Sequence, residues 1–386
     1  MNIIFMNWAC FCAEDTCEAL RNLGHKVHIM QITEEAHTII DEKLVTALCD
    51  SIKALHCDLV FSLNYFPTVS VACQKAHCKY VSWIYDCPQT KVYDKTAAND
   101  CNRIFTFDSH MADLLNQRGV NTVTYAPLAA NVKRLTASAI PSAYKIKYNC
   151  DISFVGSLYN EEHNFYERLL TKAQSPYLEG YLEGVLQAQK HVFGYNFLAE
   201  CLTPEVTETI RKAMPYTLTE GSNIREEEVY ADYYLARRLA TIDRMELLYC
   251  LGEFFDVNLY TTSDAAIGKV KNHGKIHYYN EMPYLFRASK INLNISLRSI
   301  KNGIPLRAMD ILGCGGFLMS NFQSDLLRHF EPEVHFTAYS SVPEAVDKCS
   351  YYLTHEEERQ RIASNALELM QKEHTYEIRL QEMLSD

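Results

Sequence analysis

Short apolar runs alternating with amphipathic stretches constrain this chain more than any other feature. "NIIFM" (2–6) precedes "DTCEALRNLGHKVHIM" (15–30), where Ala19, Leu20 and Leu23 recur at helical spacing. Asp15 is placed to cap that helix and Gly24 to close it in the left-handed region, after which "KVHIM" reads as a strand. The pattern continues as helix 41–55, strand "DLVFSL" (58–63), helix 68–76, strands "KYVSWIY" (79–85) and "RIFTFD" (103–108), helix 110–119 and strand "NTVTYAPL" (121–128). Apolar runs bounded by polar turns and separated by helices are the mark of a parallel sheet buried on both faces.

The alternation fades over 131–149, around Pro141, and that stretch reads as a linker. It resumes with "CDISFVGSLYNEEHNFYERLL" (150–170), a strand, a glycine turn and a helix. Residues 176–255 are helical, most clearly in "EEEVYADYYLARRLATIDRMELLYCLGEFF" (226–255). Then follow "DVNLYT" (256–261) and "KIHYYN" (275–280) as strands, helix 282–289, strand "KINLNIS" (290–296), helix 342–353 and a last segment, 356–384, that reads as helical throughout. The fold class is therefore α/β, with two doubly wound parallel-sheet domains. The expected division is an N-terminal domain over 1–140, a second domain over 150–365 with a helical insertion at about 176–255, and a C-terminal helix over 366–386 that crosses back to the first domain. A length of 386 residues suits two domains. Two such sheets expose their carboxyl edges to a cleft, where ligands of open α/β sheets bind.

The net charge of −11 disfavours a nucleic-acid partner. The N-terminus lacks the basic start and apolar length of a signal or membrane segment, so a cytoplasmic protein without an integral membrane segment is expected. The 14 cysteines are scattered without paired CxxC spacing, which fits reduced thiols and no bound metal.

"NGIPLRAMDILGCGGFLMS" (302–320) carries an arginine and an aspartate three residues apart in an otherwise apolar stretch. Pro305 suits the first turn of a helix and Gly313 its end, with Ile304, Ala308, Ile311 and Leu312 on the buried stripe. Arg307 and Asp310 then lie side by side. Spacing alone fits a solvated ion pair worth a few tenths of a kcal/mol equally well. Position favours a ligand site, because the pair follows a strand and an Asn-Gly turn at the binding edge. There a guanidinium can hold phosphate and a carboxylate can accept from a ribose diol.

Together "GIPLRAMDILGCGGFLMSN" (303–321), "SFVGSLYNEEHNFYERL" (153–169), "MPYLFRASKINLNIS" (282–296), "YYLTHEEERQRIASNA" (351–366), "HTYEIRL" (374–380), "VSWIYDCPQ" (81–89) and "FTFDSH" (105–110) resemble the CgeB-type glycosyltransferases, a branch of the two-domain GT-B enzymes. The resemblance covers most of the chain with its motifs in order. It implies a GT-B fold and transfer of a sugar from a nucleotide-sugar donor, a UDP-sugar foremost, to a glycan or protein hydroxyl. No cofactor is implied, and no metal, since helix dipoles and basic side chains stabilise the leaving diphosphate in that class. The family's usual glutamate at the ribose position is Asp310 here, one methylene shorter. Arg307 takes the basic position that neutralises the diphosphate. Gly156 and Ser157 match the turn beneath the donor, Tyr279 and Asn280 lie at a strand end near the base, and Asn302 and Gly303 turn beneath the phosphates or sugar.

An inverting enzyme needs a base in the first domain. Asp86, at a strand end before Pro88, is the candidate, although a turn or cap aspartate is the commoner role for such a residue. His110 is a second candidate, equally readable as a helix N-terminal histidine. Trp83, Tyr85 and Tyr65 read as core before they read as a sugar platform. The tyrosine-rich insertion fits an acceptor site, a lid or a homodimer surface. Two other functions share the scaffold: a nucleotide-sugar epimerase, which would need carboxylates and histidines converging on one site, and a non-catalytic nucleotide-sugar-binding protein.

Overall fold

The computed structural model describes residues 1–8, 10–33, 40–160 and 164–385. The chain forms two compact units, the first made of Met1–Ala129, Thr217–Ile224 and His374–Asp386 and the second of Ala130–Tyr216 and Arg225–Glu373.

Unit 1 holds a parallel sheet of β1 (Asn2–Asn7), β2 (Lys26–Gln31), β3 (Leu59–Leu63), β4 (Lys79–Ile84), β5 (Asn102–Thr106) and β6 (Val123–Tyr125), in the order β2-β1-β3-β4-β5-β6. Every residue of β3 is buried, whereas β2 is largely accessible because only β1 pairs with it. Unit 2 holds β7 (Ile152–Val155), β8 (Val257–Tyr260), β9 (Lys271–Asn272), β10 (Ile291–Asn294), β11 (Leu318–Asn321) and β12 (Thr337–Tyr339), ordered β12-β11-β10-β7-β8-β9 and parallel throughout. Its core joins Ile152, Phe154, Leu259 and Leu293 to Leu247, Leu248 and Leu251 of the Ala236–Phe254 helix. The helices Phe165–Ala173, Pro176–Lys190 and Pro204–Ala213 enclose a core of their own around Leu169, Leu182, Ile210 and Tyr230. The helical stretch from Glu226 starts in that second core and runs, through a π turn at Ala231–Leu235, onto the sheet.

Several local expectations are corrected. Cys12, with φ 70°, precedes the Ala13–Asn22 helix, so Asp15 is buried in its first turn instead of capping it. The stretch 131–149 contains two short helices, Val132–Thr136, capped by the Asn131 side chain, and Ser142–Tyr148. "KIHYYN" is a turn, since Glu281 accepts from His277 N at 3.3 Å and folds the segment back, and the edge of the sheet is taken by β9 instead. The C-terminal helical segment breaks at His374–Thr375, where the Thr375 hydroxyl accepts from Ile378 N and starts the Tyr376–Leu384 helix. In the 302–320 stretch Pro305 is the extended residue before the Leu306–Gly313 helix, and the left-handed turn falls at Gly315, φ 75°. Gly313 stays helical, and its role is close approach: a Cβ there would lie 2.7 Å from Ala130 Cβ.

Candidate functional site

In unit 2 the chain moves outward from β7 to β9 and then returns to place β10 on the other side of β7. Loops leaving β7 and β10 therefore diverge, and the crevice between them is where open α/β sheets bind ligands. Gly156 and Ser157 follow β7 directly, with Gly156 N donating to Tyr260 O at 3.0 Å. A Cβ at Gly156 would sit 3.2 Å from the Phe154 ring and 3.7 Å from Arg244 Nη1. Arg244, on the Ala236–Phe254 helix, donates from Nη1 to Ser157 O and from Nη2 to Ile295 O, the latter at 2.6 Å. One buried guanidinium thus ties both sides of the switch point. Its faces meet Phe154 and Tyr159, at 5.3 and 4.7 Å. Burial lowers its pKa and Tyr159 opposes the shift. Two turns earlier on the same helical stretch, Arg237 lies 6.0 Å from the Tyr159 ring and 5.1 Å from that of Tyr233. Neither arginine was singled out from the sequence. The signal was there in their spacing of seven on a helix leading into the sheet, a spacing that puts both on one face.

Asn302 and Gly303 lie between β10 and the Leu306–Gly313 helix, with Asn302 O accepting from Asp325 N at 3.0 Å. On that helix Arg307 Nη1 approaches Asp310 Oδ2 at 3.6 Å, but the Asp310 side chain is only 2% exposed, so this is no solvated surface pair. Tyr278 donates its hydroxyl to Asp310 Oδ1 at 3.0 Å, and the Arg307 guanidinium also reaches Met282 Sδ and lies 5.7 Å from the Phe286 ring. Tyr279 meets Tyr278 edge-on at 4.9 Å, and Arg134 covers both rings, at 4.8 and 5.6 Å. A cavity of about 300 Å³ opens there, lined by Arg134, Ser138, Tyr279, Asn280, Tyr284 and Arg287. The turn that carries Tyr278 to Asn280 is pinned by Glu281, which accepts from Lys147 at 2.8 Å and Tyr148 at 2.7 Å. Those bonds hold its carboxyl at about 2. The structure thus gathers Arg307, Asp310, Tyr279 and Asn280 into one neighbourhood through Tyr278 and Arg134, which the sequence reading had not named. Gly156 and Ser157 are joined to Arg244.

Asp86 and His110 belong to unit 1. Asn64, beyond the end of β3 with φ 63°, accepts from the backbone N–H groups of Tyr85 and Asp86 at 2.9 and 3.1 Å and donates to Asp86 Oδ2 at 2.6 Å. Asp86 reaches solvent, yet the protein packed around its carboxyl raises the pKa by desolvation, against the bond from Asn64 and the charge of Lys91. Burial takes Lys91 down to about 8, and its ammonium lies 4.8 Å from the Phe66 ring. His110 is the second residue of the Ser109–Gln117 helix, its N–H donating to Asp108 Oδ1 at 3.0 Å. Trp83 and Tyr65 are fully buried, and Tyr85 donates to the Tyr376 hydroxyl at 3.1 Å, so these aromatics serve the core.

The order and parallel pairing of these two sheets recur across known structures. The chain has the GT-B fold. A glycosyltransferase from Rickettsia africae superposes with a TM-score of 0.54 at 12% identity, over 100% of this chain and 97% of that one. Anabaena Alr3699/HepE in complex with UDP-glucose gives 0.56 at 11%, over 100% and 98%. Sucrose-phosphate synthase from Thermosynechococcus elongatus gives 0.53 at 11%, over 99% and 97%. Residues 235–385 match a family described as glycosyl transferase-like, and this segment is a glycosyltransferase domain. No curated protein sequence matches the chain. Among the described residues no helix is long and apolar enough to cross a membrane, and no group of three His, Cys, Asp or Glu side chains is placed to hold a metal.

Proposed function

We propose that this GT-B chain is a CgeB-type enzyme that moves a sugar from a nucleotide-sugar donor, a UDP-sugar, to a glycan or protein hydroxyl without a metal. Unit 2 is the donor domain and unit 1 the acceptor domain. The observation that carries the reading is Arg244 at the switch point of unit 2, fixed to the carbonyls of Ser157 and Ile295 beneath the glycine turn. Its net positive charge, joined by Arg237 and Arg307, suits a diphosphate. The complex of Anabaena HepE with UDP-glucose supports a uridine donor.

In this reading the base enters the cavity at Tyr279 and Asn280, with Arg134 behind the tyrosine ring. The pentose takes the Asp310 oxygen that Tyr278 now occupies. Gly156, Ser157, Asn302 and Gly303 keep the backbone close to the phosphates and sugar. As the bond from the anomeric carbon to the diphosphate breaks, the departing negative charge is met by guanidinium groups already in place, so little reorganisation is needed. In an inverting reaction Asp86 removes the acceptor hydroxyl's proton, and its raised pKa makes it a stronger base than an ordinary aspartate. His110 is the alternative proton acceptor.

Titration calorimetry of the full chain with UDP-, GDP- and dTDP-sugars tests the donor. Binding of a UDP-sugar, with release of UDP on incubation, is expected. Absence of heat with all three overturns the proposal, and a new nucleotide-sugar isomer formed without acceptor would make the chain an epimerase.

A further inference from the structure

A second cavity of about 300 Å³ opens in unit 2 beside the carboxyl ends of β10, β11 and β12, under the loop that follows the Pro176–Lys190 helix. Ile295, whose carbonyl holds Arg244, is in its wall, but none of the other residues discussed above as donor-binding lines it. Its charges are already balanced: Arg298 Nε donates to Asp243 Oδ2 at 2.8 Å, and Lys190 Nζ pairs with Glu246 at 2.6 Å. Arg298 also holds the loop down, through Val192 O at 3.1 Å and Lys190 O at 3.4 Å, while Asn196 donates back to Arg298 O at 2.7 Å. Phe193 forms an apolar part of the wall, and its ring is backed by the Arg298 guanidinium at 4.1 Å.

The Tyr339 hydroxyl stands apart. It is buried in the wall of this cavity without a hydrogen-bond partner among the described residues, and desolvation together with the charge of Asp243 raises its pKa, so it remains a neutral donor. A buried polar atom of this kind calls for a ligand or water to complete it.

We propose that this cavity is a second carbohydrate site, one that takes a single neutral sugar ring. Paired charges give an ionic ligand no net attraction, but Asp243 and Glu246 retain carboxylate lone pairs that accept from hydroxyls. Phe193 offers a face to the C–H side of a pyranose. The volume lies at the lower end of the ~300–1,000 Å³ range of small-molecule sites, enough for one ring and too small for a nucleotide sugar. The site does not rest on the donor reading, because its ligand differs and Ile295 is the one residue it shares with the donor crevice.

Saturation-transfer NMR on the full chain with D-glucose, D-galactose, D-mannose and N-acetyl-D-glucosamine, each with and without saturating UDP, tests this. At least one sugar should give contact signals that persist under UDP. Tyr339→Phe, which keeps the ring, should weaken them several-fold, and Phe193→Ala, in a partly exposed loop, should abolish them. Neither change should alter UDP affinity or the melting temperature. No signal from any of the sugars overturns the site. So does loss of signal on adding UDP, which would assign the sugar to the nucleotide crevice, or signals that both variants leave intact.

Discussion

Arg244 Nη2 lies 2.6 Å from the carbonyl oxygen of Ile295, a bond that spans 51 residues and fastens the Ala236–Phe254 helix to the carboxyl end of β10. The other arm of the guanidinium reaches Ser157 O, so the loops on both sides of the switch point depend on one side chain.

Arg244→Met should therefore cost both stability and donor binding. Two carbonyls lose a charged donor and two aromatic contacts go, together about 2–4 kcal/mol. For a unit of this size that lowers the melting temperature by roughly 5 °C or more. Arg244→Lys keeps the charge but not the fork and should fall between. Calorimetric melting and UDP titration read the two effects, and a melting temperature within a degree of wild type would contradict the tie.

Asp310 provides a sharper test, because its Oδ1 already has a donor in Tyr278. A pentose that binds there competes with the phenol. Tyr278→Phe should leave UDP-sugar affinity unchanged or raise it a few-fold, while costing about 1 kcal/mol of stability. Asp310→Asn should weaken binding by about tenfold or more, the loss of a charged acceptor. Equal losses in both variants, measured by titration calorimetry, would make the carboxylate a positioning group for Tyr278 and Arg307.

Much of this arrangement could be read in the chain itself. β3, β7 and β10 are short runs with every residue buried, and such runs are visible as apolar blocks between turns. The Gly156 turn and the spacing of Arg307 and Asp310 were visible for the same reason: they are local. What escaped depends on contacts distant in sequence. Arg244 bonds Ser157 across 87 residues, and Tyr278 bonds Asp310 across 32. Tyr279 looked like a strand residue because "KIHYYN" alternates, yet Glu281 and its partners Lys147 and Tyr148 force a turn. Pro305 was off by one position, since a proline fits equally well just before a helix as in its first turn.

The pair formed by Asp86 and Lys91 predicts a bell-shaped pH dependence of transfer. Asp86 must be ionised to act as a base, and desolvation raises its pKa, so the acid limb should lie above the ordinary aspartate range. Lys91, drawn down to about 8 by burial, loses its charge above that pH, and the alkaline limb should lie there if its charge orders the site. Both shifts disfavour the ionised native state, so neither stabilises the fold at neutral pH. Raising the pH through the Asp86 pKa removes stability, and raising it from about 8 toward the unfolded lysine value of 10.5 restores some. Asp86→Asn should reduce the rate by about 100-fold or more. Lys91→Met should erase the alkaline limb and move the acid limb upward, since the lysine charge holds the Asp86 pKa down, and an unchanged profile in both variants would remove Asp86 from the chemistry.

Glu281 couples the turn below the proposed base cavity to acid stability. Bonds from Lys147 and then Tyr148 hold its carboxyl at about 2, below the 4.5 of an unperturbed glutamate. The folded pKa is depressed, so the stabilisation is complete above 4.5 and is lost as pH falls toward 2. Lys147 is 56% exposed and solvent screens its share, so the whole contribution is about 1 kcal/mol. Glu281→Gln should therefore unfold at lower urea than wild type at pH 7, with the gap narrowing by pH 3 and closing near pH 2. Because the same carboxylate accepts from His277 N and fixes Tyr278 to Asn280, UDP-sugar affinity should drop several-fold at pH 7 as well. A urea gap that stays constant with pH would mean that packing by the glutamate stem, and not its charge, holds this turn.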